Sequence, residues 1–250
     1  TSERECWVKS DRAHRTKQDM ANDGRWLGGP IPYGFDVECR RDGKVVWRYI
    51  LDKARRAEEI VKGHKTYSYE FEGVMIQDGE EKPQAALPPR NRKVGETAWL
   101  MPSLRADRLE ALALIFQWYA TEEVSFYEIS KRLNTRGFNP VYGDLWYPAR
   151  IRHFVENPVY QGLPSAYKRT QAGYYRYAGI DPETGARQMG KAPDKSGKSG
   201  IYDRSEWIGP KAKPFNAVVD EKLITAAVER ATNPTPRKKA PKNAALWLAG

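Results

Sequence analysis

The sequence has little of what metal or thiol chemistry needs. It holds two cysteines, Cys6 and Cys39, and three histidines, His14, His64 and His153, in 250 residues. Two cysteines so far apart make neither a disulfide framework nor a C-x-x-C pair, and a four-ligand zinc site has poor raw material. Each is expected to be a buried or idle thiol, and no metal or cofactor is expected. With three scattered histidines, no Ser-His-Asp or Cys-His set stands out. The acidic pairs Glu58-Glu59, Glu80-Glu81 and Glu122-Glu123 are adjacent in sequence. On a helix, neighbours diverge by about 100°, so these read as solvated charge rather than a metal-dependent nuclease pocket. No apolar run approaches the length of a membrane span, and "TSERECWVKS" has no apolar signal core, so a soluble, intracellular protein without membrane contact is expected.

What is present is positive charge and aromatics. Forty-two Lys and Arg oppose 32 Asp and Glu, a net charge of +10, and 12% of the chain is aromatic. The balance suits a polyanionic partner, though charge alone does not establish one. Hydrophobic residues, at 40%, permit a core, and 17 prolines imply much loop.

"DRAHRTKQDMANDG" predicts a polar helix over 11–23, closed by Gly24 and lacking an apolar stripe. Such a helix bridges solvent, frays, or lies on something charged, with Arg12, Arg15 and Lys17 the candidate contacts. "GRWLGGPIPYGFDV" has too many glycines and prolines for regular structure. It lacks the Gly-Lys-Ser/Thr ending and the preceding strand of a nucleotide loop. Arg25, Trp26 and Tyr33 suit an extended arm along a nucleic-acid groove; a structural turn with a core tryptophan is the competing reading.

Residues 37–101 predict mixed strand and helix. "KVVWRYI" follows an Asp42-Gly43 turn as a strand, and "KARRAEEIVKG" reads as a short helix closed by Gly63. Tyr67, Tyr69 and Phe71 lie on one strand face, Asp78-Gly79 turns, and "EKPQAALPPRNRK" is a Pro-rich loop. A buried helix follows, with Leu109, Leu112, Ala113, Phe116 and Ala120 at helical spacing. Ser125 and Glu128 form a capping box for a second helix, with Ile129 and Leu133 inward and Arg136-Gly137 as its end. A third begins at Trp146-Tyr147-Pro148, buries Ile151, Phe154 and Val155, and stops at Asn157-Pro158. Its opposite side carries Ala149, His153 and Glu156, flanked by Arg150 and Arg152.

Three helices with a tight joint form a helix-turn-helix pattern, whose last helix presents side chains to the major groove. Arg150, Arg152 and His153 could reach bases or phosphates, and small Ala149 permits close approach. Arg132, Lys168 and Arg169 lie on neighbouring segments. Beyond Gly162 the sequence predicts a Tyr-rich strand pair, a mobile loop over 179–200, and a helix capped by Asp220. A basic linker from 232 and an apolar stub, "AALWLAG", end the chain as if before another domain. The expected fold class is α+β: a helix-turn-helix-like core at 104–162 with small β-sheet elements. A linker helix and arm at 1–36 precede a domain spanning 37–231, in which 37–101 is an insertion.

"RTKQDMANDGRWLGGPIPYGFD" resembles the segment of large serine recombinases that joins the catalytic domain to the DNA-binding region. "LRADRLEALALIFQWYATEEVSFYEISKRLNTRGFNPVYGDLWYPARIRHFVENPVYQG" is similar to that family's recombinase domain, and "EWIGPKAKPFNAVVDEKLI" to the stretch after it. The resemblance implies double-stranded DNA as partner, read as part of an attachment-site half during integration of a mobile element. The end of the linker helix and the arm would follow the minor groove, and the helix around Tyr147–Glu156 would enter the major groove. The family's nucleophilic serine would lie before Thr1 and its zinc ribbon after the stub, so no residue here is assigned to catalysis. The resemblance implies a prokaryotic or phage-encoded parent that is a dimer on one site and a tetramer in synapsis, cytoplasmic and associated with the nucleoid. The chain alone is expected to be monomeric. Two readings compete with it: a non-catalytic regulator using the same module, and an RNA-binding protein stacking bases on tyrosines at 67–71 and 174–177.

Overall fold

In the computed structural model the described residues are 3–61, 64–88, 93–165, 175–180, 183, 187–191 and 207–233. The chain opens with helix α1 (Glu3–Asn22), followed by strands β1 (Phe35–Arg41), β2 (Lys44–Val61), β3 (His64–Gln77), β4 (Glu80–Gln84) and β5 (Glu96–Pro102). Helices α2 (Ala106–Ala120), α3 (Phe126–Thr135) and α4 (Pro148–Glu156) come next, then a 3₁₀ turn at Pro158–Gln161. A hairpin of β6 (Tyr175–Ile180) and β7 (Arg187–Lys191) precedes helix α5 (Glu221–Thr232). The class is α+β. No described helix is long and apolar enough to cross a membrane.

The five strands form one antiparallel sheet in the order β4-β3-β2-β1-β5. Two of its described turns are the anticipated ones. Asp42-Gly43 and Asp78-Gly79 both take positive φ, at 50° and 76° and at 53° and 80°. That is the backbone a two-residue hairpin of the correct twist requires. Phe35, Val37, Cys39, Tyr49, Leu51, Ala98 and Leu100 share one sheet face and are buried. This face merges with α2, α3, α4 and α5 into one apolar cluster. Residues 37–101 are therefore part of the packing that holds the helices. On the other face Arg48 binds Asp36 at 3.0 Å and Glu38 at 3.6 Å. Asp36, fully buried, also accepts from Ser103 Oγ at 2.7 Å and Leu104 N at 2.8 Å. Burial raises its pKa against these hydrogen bonds.

Several expectations are corrected. The helix anticipated within 53–63 is strand: β2 runs to Val61, paired with β3 through Val61↔His64. Its Ala, Arg and Glu favour a helix, but it has no apolar stripe to bury as one. The tyrosine-bearing strand opposite supplies cross-strand partners instead. The Pro-rich loop contains β4, where Pro83 is tolerated because β4 is an edge strand. Likewise β7 lies inside the loop expected over 179–200. α1 starts at Glu3 rather than 11, since nothing from Glu3 to Asn22 breaks a helix. It is polar, as expected, yet one side is buried through Asp11, Gln18 and Ala21. At its end Gly24 has φ +78°, and a Cβ there would lie 2.7 Å from Pro214 Cγ. On α2 the buried stripe is Arg108, Ala111, Leu112, Ile115, Phe116 and Tyr119, with Trp118 beside it. Ala113 is exposed, while Leu109 and Ala120 are half-buried.

The sheet grips the helices through a bulge. The β2–β3 register slips between Leu51 and Lys53, leaving Asp52 to face the start of α2. Arg108 Nη2 lies 2.8 Å and Arg105 Nη2 3.0 Å from its carboxylate, and Arg108 Nη1 donates to Leu51 O at 2.7 Å. These bonds explain a buried arginine on an otherwise apolar stripe.

Candidate nucleic-acid interface

The sequence between α3 and α4 fixes how α4 is presented. Ser125 caps α3, its Oγ accepting from Glu128 N at 3.2 Å. Gly137, at φ +76°, ends the helix. Asn134, on the last turn, reaches across the joint: its Nδ2 donates to Trp146 O at 3.1 Å, and its Oδ1 accepts from Trp146 N at 2.9 Å. Trp146 Nε1 donates to Phe138 O at 2.7 Å. The joint is thus tied by both amide atoms of one side chain and by the indole of the residue it holds. Neither Asn134 nor Trp146 was assigned a contact from sequence.

The Gly/Pro arm packs beneath this joint. Trp26 and Tyr33, expected to run along a groove, are core residues, 5% and 4% exposed. Tyr33 meets Trp146 edge-on at 4.9 Å and stacks on Phe154 of α4 at 5.8 Å. Tyr160 Oη donates to Tyr33 O at 3.2 Å. Trp26 N donates to Ala98 O at 2.7 Å. Burial of their rings against aliphatic and aromatic neighbours outweighs any solvent-facing role, so both leave the contact set as a correction. The α3–α4 loop rests on β2, where Ala54 N donates to Val141 O at 2.7 Å and Gly143 N to Ala54 O at 3.1 Å, and on the arm, where Ile31 N donates to Tyr142 Oη at 3.0 Å. Lys53 and Asp144 pair at 3.0 Å.

Set on this base, α4 buries Ile151, Phe154 and Val155, as its spacing predicts. Tyr147, Ala149, Arg152 and His153 are exposed on the same helix. Pro148 occupies the first helical position, and no side chain caps the N-terminus. Arg152 pairs with Glu156 one turn on at 2.7 Å, with 66% of its side chain exposed. Arg150 is half-buried, its Nη1 donating to Leu145 O at 3.3 Å and its guanidinium 5.9 Å from the Tyr147 ring. Burial lowers its pKa, but an arginine stays charged.

The other candidates lie elsewhere. Arg132 on α3 faces α2, bonding Glu122 at 2.8 Å and Glu128 at 3.5 Å, with its guanidinium 5.4 Å from the Trp118 ring. Two carboxylates offset its charge, which makes it a weaker anion contact than Arg152. Arg12, Arg15 and Lys17 are exposed on α1, with Arg15 paired to Asp11 at 2.8 Å. Arg25 is half-buried and pairs with Asp23 at 2.8 Å. Lys168 and Arg169 lie outside the described residues. Tyr67 and Tyr69 of β3 are half-exposed, but the Arg56 guanidinium already covers a Tyr67 face at 3.5 Å. No group of three metal-ligating side chains occurs among the described residues.

The tied joint thus presents a short helix whose exposed side carries Ala149, Arg152 and His153. The Recombinase family model matches residues 106–233, from the first turn of α2 through the end of α5. That is just over half of the chain, and the chain belongs to this family, whose domain is found in large serine recombinases. Membership supports a role in site-specific recombination, with DNA as the substrate. No curated protein matches the chain. The sheet of β1–β5, which carries the α3–α4 loop, lies outside the matched span.

Proposed function

We propose that this chain is the sequence-reading part of a large serine recombinase, and that it recognises part of an attachment-site half as duplex DNA. In this reading α4 enters the major groove. Arg152 and His153 contact base edges, Ala149 permits close approach, and Arg150 and Tyr147 meet the backbone at the helix start. Arg12, Arg15 and Lys17 add phosphate contacts from α1, with Arg25 beside them. Strand cleavage belongs to another part of the parent recombinase, which pairs on one site and forms a tetramer when two sites meet. The observation that carries the reading is the Asn134–Trp146 tie, reinforced by Tyr33 and Phe154. It makes α4 a rigid reader rather than one more helix of a bundle, and rigid placement is what base readout requires.

Methylation interference tests this directly. Dimethyl sulfate marks guanine N7 in the major groove and adenine N3 in the minor groove. Bound and free fractions of a methylated duplex pool are expected to differ at guanine N7 within one short stretch. That signal should fade in Arg152→Ala and His153→Ala. Interference confined to adenine N3, or unaltered in both variants, would remove α4 from the major groove.

A further inference from the structure

Beyond the sheet, β2 and β3 continue as a two-stranded ribbon. β1 pairs with β2 only as far as Tyr49, and β4 with β3 only over Gly73–Gln77. The β2–β3 ladder runs on to Val61↔His64. From Ala54 to Val61 the ribbon extends roughly 24 Å at about 3.4 Å per residue. Beyond the Arg108 bonds at Leu51 and Asp52, the described residues place one further segment against the outer edge of β2 after Tyr49, at Ala54, which bridges to Tyr142. A long exposed strand edge is a template for another strand unless something blunts it.

The direction of the edge groups follows from that bridge. Both backbone groups of Ala54 bond the α3–α4 loop, so they point away from β3. Backbone polarity alternates along an antiparallel strand, so Arg56 and Glu58 also point their N–H and C=O groups outward, while Arg55, Ala57 and Glu59 bond β3. The sequence over these residues is Arg55-Arg56-Ala57-Glu58-Glu59. It reads as its own charge complement when reversed.

We infer that this edge pairs with the same edge of a second copy of the chain, antiparallel about a twofold axis at Ala57. That register sets Arg56 opposite Glu58 of the second copy, and Arg55 opposite Glu59 of it, twice over by symmetry. Arg56 and Glu58 form the hydrogen-bonded pairs, exchanging both of their backbone bonds. Ala57 meets its own counterpart on the axis, where the small side chain suits the close approach of a non-hydrogen-bonded pair. Centring the axis on Arg56 would set arginine against arginine, and centring it on Glu58 would oppose two glutamates. Either is disfavoured, because like charges directly opposite destabilise a sheet pair. The loop at Ala54 ends the seam on the near side. The result is an isologous contact that joins two ribbons into one four-stranded sheet, with Tyr67 and Tyr69 of both copies on one face. Arg55 holds a long 3.7 Å contact with Glu72, both side chains more than half exposed, so it can turn to the seam.

This departs from the monomer expected on sequence grounds. The seam is short beside the roughly 1,200–2,000 Å² of a stable interface, so the isolated chain is expected to dimerise only at about 0.1–1 mM. Where two chains sit on neighbouring DNA segments, which rests on the proposed function, effective concentrations of that order arise from tethering alone.

Sedimentation equilibrium of the chain without DNA tests the contact independently of any DNA reading. Dimerisation is expected at low salt and should weaken as salt rises. The double substitution Arg55→Glu/Arg56→Glu and the double substitution Glu58→Arg/Glu59→Arg each oppose like charges, and should weaken association about tenfold or more. Mixing the two should restore it as a heterodimer, which loss of folding in either could not produce. Glu58→Pro removes one outward N–H while sparing the β3 ladder, and should abolish dimers with the melting curve unchanged. A chain that stays monomeric to millimolar concentration at low salt overturns the inference. So does association that survives both charge reversals, or a mixture of the two that remains monomeric.

Discussion

Asn134→Ala isolates the element that presents α4. The substitution removes a donor to Trp146 O and an acceptor from Trp146 N. Each neutral hydrogen bond contributes about 0.5–1.5 kcal/mol net, and a buried group left without a partner costs about 1–3 kcal/mol. Asn134 is half-buried, so water can reach part of the gap and the lower ends apply. We expect a loss of about 2 kcal/mol, or roughly 4–8 °C in Tm for a chain of this size. Urea unfolding should show a lower midpoint with an unchanged m value. Asn134→Asp separates the two bonds: it keeps an acceptor for Trp146 N but turns a carboxylate toward Trp146 O, and should be at least as destabilising. DNA affinity should fall in both while the secondary structure persists. A midpoint within about 0.5 kcal/mol of the parent in both variants, inside the range of ordinary surface substitutions, would refute the claim that this side chain ties the joint.

Other outcomes follow from single contacts. Tyr33→Phe removes a buried hydroxyl that has no hydrogen-bond partner among the described residues. Thermal melts should show stability unchanged or raised by up to about 1 kcal/mol, with DNA affinity unaltered. Tyr33→Ala, which empties a core site, should cost about 3–5 kcal/mol. Asp52→Ala leaves the buried Arg108 without its carboxylate. The Asp52 side chain is one-third exposed, so chemical denaturation should show about 2 kcal/mol lost rather than the full value of a buried pair. Ser125→Ala should cost about 1 kcal/mol by loss of the α3 cap, read from the same unfolding curves. Arg12→Ala and Lys17→Ala should weaken binding to all duplexes alike, each lowering the salt slope by about 1.

Much of this architecture was legible where the signal is local. Asp42-Gly43 and Asp78-Gly79 name their turns because few other residues tolerate positive φ there. Ser125 names a helix start, and the spacing of Ile151, Phe154 and Val155 names the buried side of α4. Long-range partners were not legible. Trp26 and Tyr33 sit beside Arg25 and several glycines, a composition equally suited to an arm on DNA or a packed turn. For Tyr33 the deciding residues, Trp146, Phe154 and Tyr160, come more than 100 positions later. For Lys53–Val61 the intrinsic preference is helical, and only the facing strand overrides it. Asn134 is silent in sequence because its role is to bond a backbone twelve residues away.

The most direct test is selection of the duplexes this chain prefers from a random DNA pool at physiological salt, with Arg152→Ala and His153→Ala run in parallel. The account predicts enrichment of one non-palindromic motif, about one to two helical turns long. Each variant should lose preference at its own positions, by about 1–3 kcal/mol per base contact. Binding that follows salt alone and enriches no motif would contradict sequence reading by α4, as would a motif identical in both variants.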